Sequence, residues 1–276
     1  MKNTLLVAVL FVSLIVCSSI SDYAYTEYVY QTRQEEQLLY LSLNADKHST
    51  YGGYTVEQLG EGYEKPTNFL GKAVIDVPVI NQFPELPVGC ESTSAAALLN
   101  YLGYDISKTK FTEKYLKWDD NFYNDKNEQL FGPDPNKVFA GDPFDWGYGC
   151  FSPVIVNSLN DYFADNGIEN TAIELKNLNS ADMEKLIDEG VPMIVWASRD
   201  MKSYKYKQSS SWKVSGTNQE QQWLGNSHTL VLCGYDSNCY YFMDCNDKKE
   251  ITAYSKIGFM NRWNENGAQC IAVKIN

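Results

Sequence analysis

Apolar and polar positions follow distinct rhythms along this chain, and each change of rhythm marks an element. Leu5 to Val16 is almost unbroken apolar sequence after Lys2, too short for a membrane-crossing helix and about as long as a signal-peptide core. Residues 22–71 are polar, with a possible helix at Thr32 to Leu43 and a turn at Tyr51-Gly52-Gly53-Tyr54. A strand-like run from Val74 to Ile80 leads into Asn81 to Gly89, where two prolines and a glycine exclude a regular element.

Cys90 opens a run of small and apolar residues that predicts a helix ending near Gly103. A polar region around Trp118-Asp119-Asp120 follows. The loop from Gly141 to Cys150 is dense in turn formers and aromatics, which suits a cleft wall or a well-packed loop. Helices are expected at Val154 to Phe163 and at Ser180 to Glu189, the second behind Asn179 as its cap. Strands are expected at Ile173 to Leu175, Val191 to Ala197, Thr229 to Gly234, Tyr240 to Asp244 and Ala268 to Ile275. Pro192 is tolerable only because it stands near a strand start. Residues 199–225 read as a long hairpin or flap. One leading helix followed by mostly antiparallel strands predicts an α+β fold. The expected organisation is a signal peptide at 1–21, an N-terminal extension at 22–71 (propeptide, stalk or small packing subdomain), and a main domain at 72–276.

Charge changes this picture by exclusion. The formal net charge is −12, and with no basic stripe in that background a nucleic-acid partner is not expected. The leader predicts an exported protein, secreted or associated with the cell surface. Cysteine usage adds a tension. Removing the leader removes Cys17 and leaves six cysteines, an even set that an oxidising compartment can pair completely. Cys233, Cys239, Cys245 and Cys270 crowd the C-terminal part and could form two bridges, and a bridge from Cys150 to Cys90 would silence Cys90.

Candidate chemistry centres on that residue. A cysteine at the first turn of a helix feels unpaired N–H groups and the positive end of the helix dipole, which favours the thiolate. Acyl transfer by a thiol also needs a base, a partner that orients the base, and donors for the oxyanion. His228, 138 residues further on, is the only histidine outside the N-terminal third and titrates in the useful range. If the chain turns around Asp236, Asp244 lies about opposite His228, and their even spacing lets both face one side of the hairpin. Gln82 and the Cys90 backbone N–H are the candidate oxyanion donors. Each has a plainer reading: Cys90 as a small buried hydrophobe, His228 as structural, Asp244 as a turn cap, Gln82 as a partner of loop carbonyls, and Glu91 as a stabiliser of the helix start.

Val77-Pro78-Val79-Ile80-Asn81-Gln82, Leu86-Pro87-Val88-Gly89-Cys90-Glu91-Ser92, Ala95-Ala96, His228-Thr229-Leu230-Val231-Leu232-Cys233-Gly234-Tyr235-Asp236 and Tyr241-Phe242-Met243-Asp244 resemble the bacteriocin-processing peptidase-like family of papain-like cysteine peptidases. The resemblance spans about residues 72 to 276 and includes Gly141-Asp142-Pro143, Gly147-Tyr148-Gly149, Phe259, Trp263 and Gly267. It implies a nucleophile helix packed on an antiparallel sheet, with Cys90 as nucleophile, His228 as base, Asp244 as orienter and Gln82 in the oxyanion hole. Ser227 stands where the family often has glycine, and Cys245 where it often has proline. The expected protein is a secreted cysteine peptidase acting on a peptide or protein, cell-wall peptide included. Rival readings are a cell-wall peptide amidase, an acyl or amine transferase, and an inactive peptide-binding module. No metal or other cofactor is expected, since two histidines, one of them remote, make a poor zinc set.

Overall fold

The protein is described by a computed structural model over residues 50–67, 71–204, 210–246 and 249–276. The expected leader and the Thr32 to Leu43 helix lie outside the described residues. Helix α1 (Val56–Gly60) is followed by β1 (Ala73–Val74), α2 (Cys90–Tyr101) and α3 (Lys108–Tyr115). Short strands come next: β2 (Trp118–Asp119), β3 (Tyr123–Asn124), β4 (Leu130–Gly132), β5 (Phe139–Gly141) and β6 (Gly147–Gly149). Then follow α4 (Ser152–Asp165), β7 (Thr171–Glu174), α5 (Ser180–Asp188), β8 (Met193–Ser198), β9 (Ser210–Val214) and β10 (Glu220–Trp223). The chain closes with β11 (Ser227–Tyr235), β12 (Cys239–Met243), β13 (Thr252–Ser255), α6 (Lys256–Glu265) and β14 (Cys270–Lys274).

The main sheet runs β13-β12-β11-β8-β14-β7, with β1 paired to the far end of β11, and every pairing in it is antiparallel. All six residues of β8 are buried, so helices cover both faces of the sheet at its centre. Helix α2 packs on β11 and β8. Its apolar and small residues, Ala95 to Leu99, are fully buried, between that sheet and helices α3 and α4. This is the α+β architecture expected, with the Cys90 helix against an antiparallel sheet.

Several local expectations need correction. Of the run expected from Val74 to Ile80 only Val74, with Ala73, pairs as strand: the Ile75 N–H still reaches the Cys233 carbonyl, but the Val77 N–H turns back to the Ile75 carbonyl, and Pro78 has no N–H to resume a ladder. The region after Gly103 is not simply polar loop. Ser107 caps α3 by accepting the Lys110 N–H, and Phe111 and Tyr115, four residues apart, bury one face. In the same way Ser255 caps α6, which buries Phe259 and Trp263. The segment 51–63 packs on the main body: α1 lies on α5 and β14, the Tyr51 hydroxyl donates to Asp182, and the Tyr63 hydroxyl donates to the Val273 carbonyl at 2.6 Å.

Strands β2 to β6 with β9 and β10 form two small sheets. Trp212 and Trp223 are buried between them with Phe122, Tyr148 and Phe151 packed alongside. The hairpin expected within 199–225 is β9–β10. The 141–150 loop carries β6 and closes on β5 so tightly that a Cβ on Gly141, whose φ is +120°, would meet the Gly147 Cα at 2.2 Å. Gly141→Ala is therefore expected to destabilise the fold by about 3 kcal/mol through backbone strain. Urea unfolding checks this, and an unchanged midpoint would remove the close approach as a constraint.

Candidate active site

The chain delivers Cys90 to the first turn of α2 through an irregular segment that Gln82 holds in shape. The Gln82 backbone N–H donates to the Cys245 carbonyl at 2.9 Å, and its Nε2 donates to the Pro87 carbonyl at 2.9 Å and to that of Leu86 at 3.2 Å. Both amide hydrogens thus lie on loop carbonyls, although Gln82 also borders the cleft. A direct role toward an oxyanion requires exchanging one of these bonds, and the longer is the easier to give up.

His228 and Asp244 meet because β11 is bulged. Leu232 pairs with Phe242, but Gly234 pairs with Tyr241, so Cys233 is an extra residue on the β11 side. Continuing the inner register one step places Asp244, just after β12, across from Leu230, two residues from His228 and on the same face. The outer register would put Asp244 across from Val231 and turn it to the opposite face. The side chains meet with His228 Nε2 2.8 Å from Asp244 Oδ1, and both are buried. His228 Nδ1 has no hydrogen-bond partner.

Asp244 is held on both oxygens. The Asn246 N–H donates to Oδ1 at 2.9 Å and the Tyr254 hydroxyl to Oδ2 at 2.7 Å. Burial pushes its carboxyl up, but hydrogen bonding and charge from His228, with help from Tyr254 and Asn246, win and hold it below the usual carboxylate range. Tyr254 was not legible as a site residue, because its role depends on β13 lying beside β12.

The thiol departs from expectation. The helix start was expected to favour the thiolate, yet burial, reinforced by Glu91 and Cys245, pushes the Cys90 thiol well above its ordinary 9.0. The Thr229 backbone N–H acts in the opposite direction. Cys90 Sγ lies 3.2 Å from Glu91 Oε2. Glu91 is itself buried, with Oε1 accepting the Cys150 N–H at 2.9 Å, so it does more than favour the helix start. A buried carboxylate 3.2 Å from the sulfur opposes the thiolate that the helix start would favour.

Among the described residues the six cysteines are unbridged. Cys245 donates toward Gln82 Oε1 at 3.4 Å and so joins the Gln82 segment to the end of β12. Among the described residues no group of three or more His, Cys, Asp or Glu is placed to hold a metal ion, and no helix is long and apolar enough to cross a membrane.

Cys90 opens into a cleft of about 260 Å³ bordered by Tyr148, Arg199, Trp223 and Asn226 among others. Trp223 and Ser227 also border an adjoining cavity of about 500 Å³. The 141–150 segment is therefore both a packed loop and a cleft wall, through Gly147 and Tyr148.

Comparison with known proteins fits this geometry. The chain is 26% identical over 207 residues to the uncharacterized protein YvpB of Bacillus subtilis (strain 168), covering 72% of this chain and 75% of YvpB. A solved structure from Bacillus anthracis, provisionally called a C39-like peptidase, superposes with a TM-score of 0.62 at 25% identity, covering 72% of this chain and 96% of that one. The model of the Peptidase_C39-like family matches residues 74–271. That span holds the bulged hairpin, the helix that packs on it and the cleft onto which Cys90 opens, and the chain belongs to the Peptidase_C39-like family, of papain-like cysteine peptidase kind.

Proposed function

We propose that this chain is a cysteine peptidase that hydrolyses peptide bonds through a thioester on Cys90, outside the cytoplasm. The observation that carries the reading is the buried His228 imidazole, oriented at Nε2 by Asp244 and without a hydrogen-bond partner at Nδ1, on a strand against which the Cys90 helix packs. In the cycle, His228 Nδ1 takes the thiol proton and sulfur attacks the substrate carbonyl. The Cys90 N–H, without an intrahelical acceptor at this first position, and Gln82 stabilise the oxyanion. The imidazolium then protonates the departing amine, and the neutral imidazole activates the water that releases the acid. The adjoining cavity provides room for an extended substrate to continue past the reacting bond. The leader-like run Leu5 to Val16 supports export.

The test is a thiol-directed electrophile followed by mass mapping, alongside turnover of protein and of cell-wall peptide fragments. Labelling confined to Cys90 with new amino termini released from protein supports the proposal. Cleavage of cell-wall fragments alone redirects it to an amidase, and labelling without effect on turnover sinks it. For Gln82→Ala the expected loss in kcat is about 10²-fold to 10³-fold, as for other oxyanion donors. Its Cys90 alkylation rate should stay near wild type. An equal fall in both would assign Gln82 to holding the loop instead.

A further inference from the structure

Glu91 is a buried carboxylate for which the proposed cycle has no use, and it touches the reacting atom. Its Oε2 is 3.2 Å from Cys90 Sγ. Its other oxygen is fixed by the Cys150 N–H at 2.9 Å, and the Cys150 carbonyl in turn accepts from Trp196 Nε1 at 2.9 Å. Space is cleared for it: a Cβ on Gly149, whose φ is +136°, would lie 2.3 Å from Glu91 Oε1. A carboxylate needed only to favour a helix start would sit at the surface, where its charge is solvated. This one is enclosed and aimed along its own helix at the sulfur.

We propose that Glu91 is the resting partner of the nucleophile: it holds the Cys90 thiol in its protonated form, and the reaction starts only when sulfur leaves Glu91 Oε2 for the imidazole of His228. In that step the S–H bond breaks, its electron pair stays on sulfur, and the proton goes to His228 Nδ1, forming an imidazolium beside Asp244. Glu91 keeps its own protonation state. The proposal rests on reading Cys90 as the nucleophile.

The electrostatics agree with the geometry. Burial, opposed by the Cys150 and Glu91 N–H groups and by the Cys90 thiol, pushes Glu91 up to about 7. The groups that share its enclosure are thiols: Cys90 on α2, Cys150 before α4 and Cys245 after β12. No cation contributes to its shift. When ionised, Glu91 is a negative charge with no cation beside it; it then suppresses the thiolate, which protects the sulfur from oxidation and alkylation between turnovers, since the thiolate is the reactive form.

The test is the pH dependence of Cys90 alkylation by iodoacetamide, read by mass mapping, in wild type and Glu91→Gln. The amide preserves shape and can still accept the Cys150 N–H, but it removes the charge. The expected result is a midpoint at least one pH unit lower, with alkylation about tenfold faster at pH 9, where Glu91 is ionised, and no more than about twofold faster at pH 7, where it is half neutral, because rate follows thiolate fraction. An unchanged midpoint overturns the proposal and leaves Glu91 as an anchor for the Cys150 peptide. If Glu91→Gln does not fold, the ultraviolet thiolate absorbance of wild type minus that of Cys90→Ser still decides. A Cys90 midpoint below 9.0 overturns the proposal, since the thiol would then not be held in its protonated form. Alkylation reads the thiol and not hydrolysis, so a chain that alkylates as expected but cleaves no peptide keeps this inference and loses the peptidase reading.

Discussion

Cys90→Ala is expected to abolish peptide turnover, by roughly 10⁶-fold, the scale on which removing a covalent nucleophile acts. No other described group is positioned to replace it. Cys150 and Cys245 are fully buried, and burial pushes both thiols well above their ordinary range, with Glu91 among the charges that reinforce the effect. Neither borders the cleft. The fold should survive, since the substitution removes one sulfur at a partly exposed position and leaves α2 its packing from Ala95 to Leu99. The lost Glu91 contact is replaced by water or by nothing, at a cost on the order of 1 kcal/mol. Circular dichroism and urea unfolding close to wild type, with turnover gone, is the combined outcome expected. Residual turnover above about 1% of wild type would move the nucleophile elsewhere, because a truncated nucleophile retains far less.

Asp244→Asn is the second large effect. The substitution is nearly isosteric, but the negative charge facing His228 is lost, and one amide oxygen cannot serve both the Tyr254 hydroxyl and the Asn246 N–H, which donate to different oxygens of the carboxylate. An amide can present its NH₂ to Nε2, which leaves the proton of a neutral imidazole on Nδ1, the atom that must accept the thiol proton. In a comparable triad the same exchange lowers kcat about 10⁴-fold, and a loss of that order is expected here. Binding should change much less, so kcat falls while KM stays near wild type.

The same residue carries a pH signature. The folded Asp244 carboxyl lies below the usual range, so in the unfolded chain it binds its proton at a higher pH than in the folded one. Its contribution to stability is complete above the unfolded value and is lost as pH falls through the folded value. Asp244→Asn should therefore weaken the protein near neutrality and flatten its acid unfolding. Unfolding scans across the acid range test this, and an acid limb as steep as that of wild type would show that other carboxylates carry it.

Much of the architecture was legible because it depends on short-range spacing. The run at Cys90, the cap at Asn179, the even apolar pattern of Val191 to Ala197 and the Asp236 turn all gave elements close to those observed. Asp236 Oδ1 accepts the Asn238 and Cys239 N–H groups within the turn, a bond any aspartate in that position can make. What was missed shares a cause. Helices α3 and α6 each bury one face through two aromatic side chains four residues apart, too weak a stripe to stand out unless the serine caps at Ser107 and Ser255 are weighed with it. Strands β2 to β6 are two or three residues long and exist because Trp212, Trp223 and their aromatic neighbours give them a surface to pack on.

The candidate site divides in the same way. Which residue types stood ready for acyl transfer, and that Cys90 would open a helix, followed from the linear order alone, since both are properties of a few consecutive residues. Whether His228 and Asp244 face each other did not. A single bulge at Cys233 sets that, and a bulge is decided by how β11 is pulled between β8, β1 and β12 rather than by its own composition. The state of the sulfur was likewise beyond reach of the linear order. A helix dipole reads the same in any sequence, whereas desolvation and a neighbouring carboxylate act only after packing has buried Glu91 and Cys150 beside the Cys90 sulfur, and there they oppose the dipole.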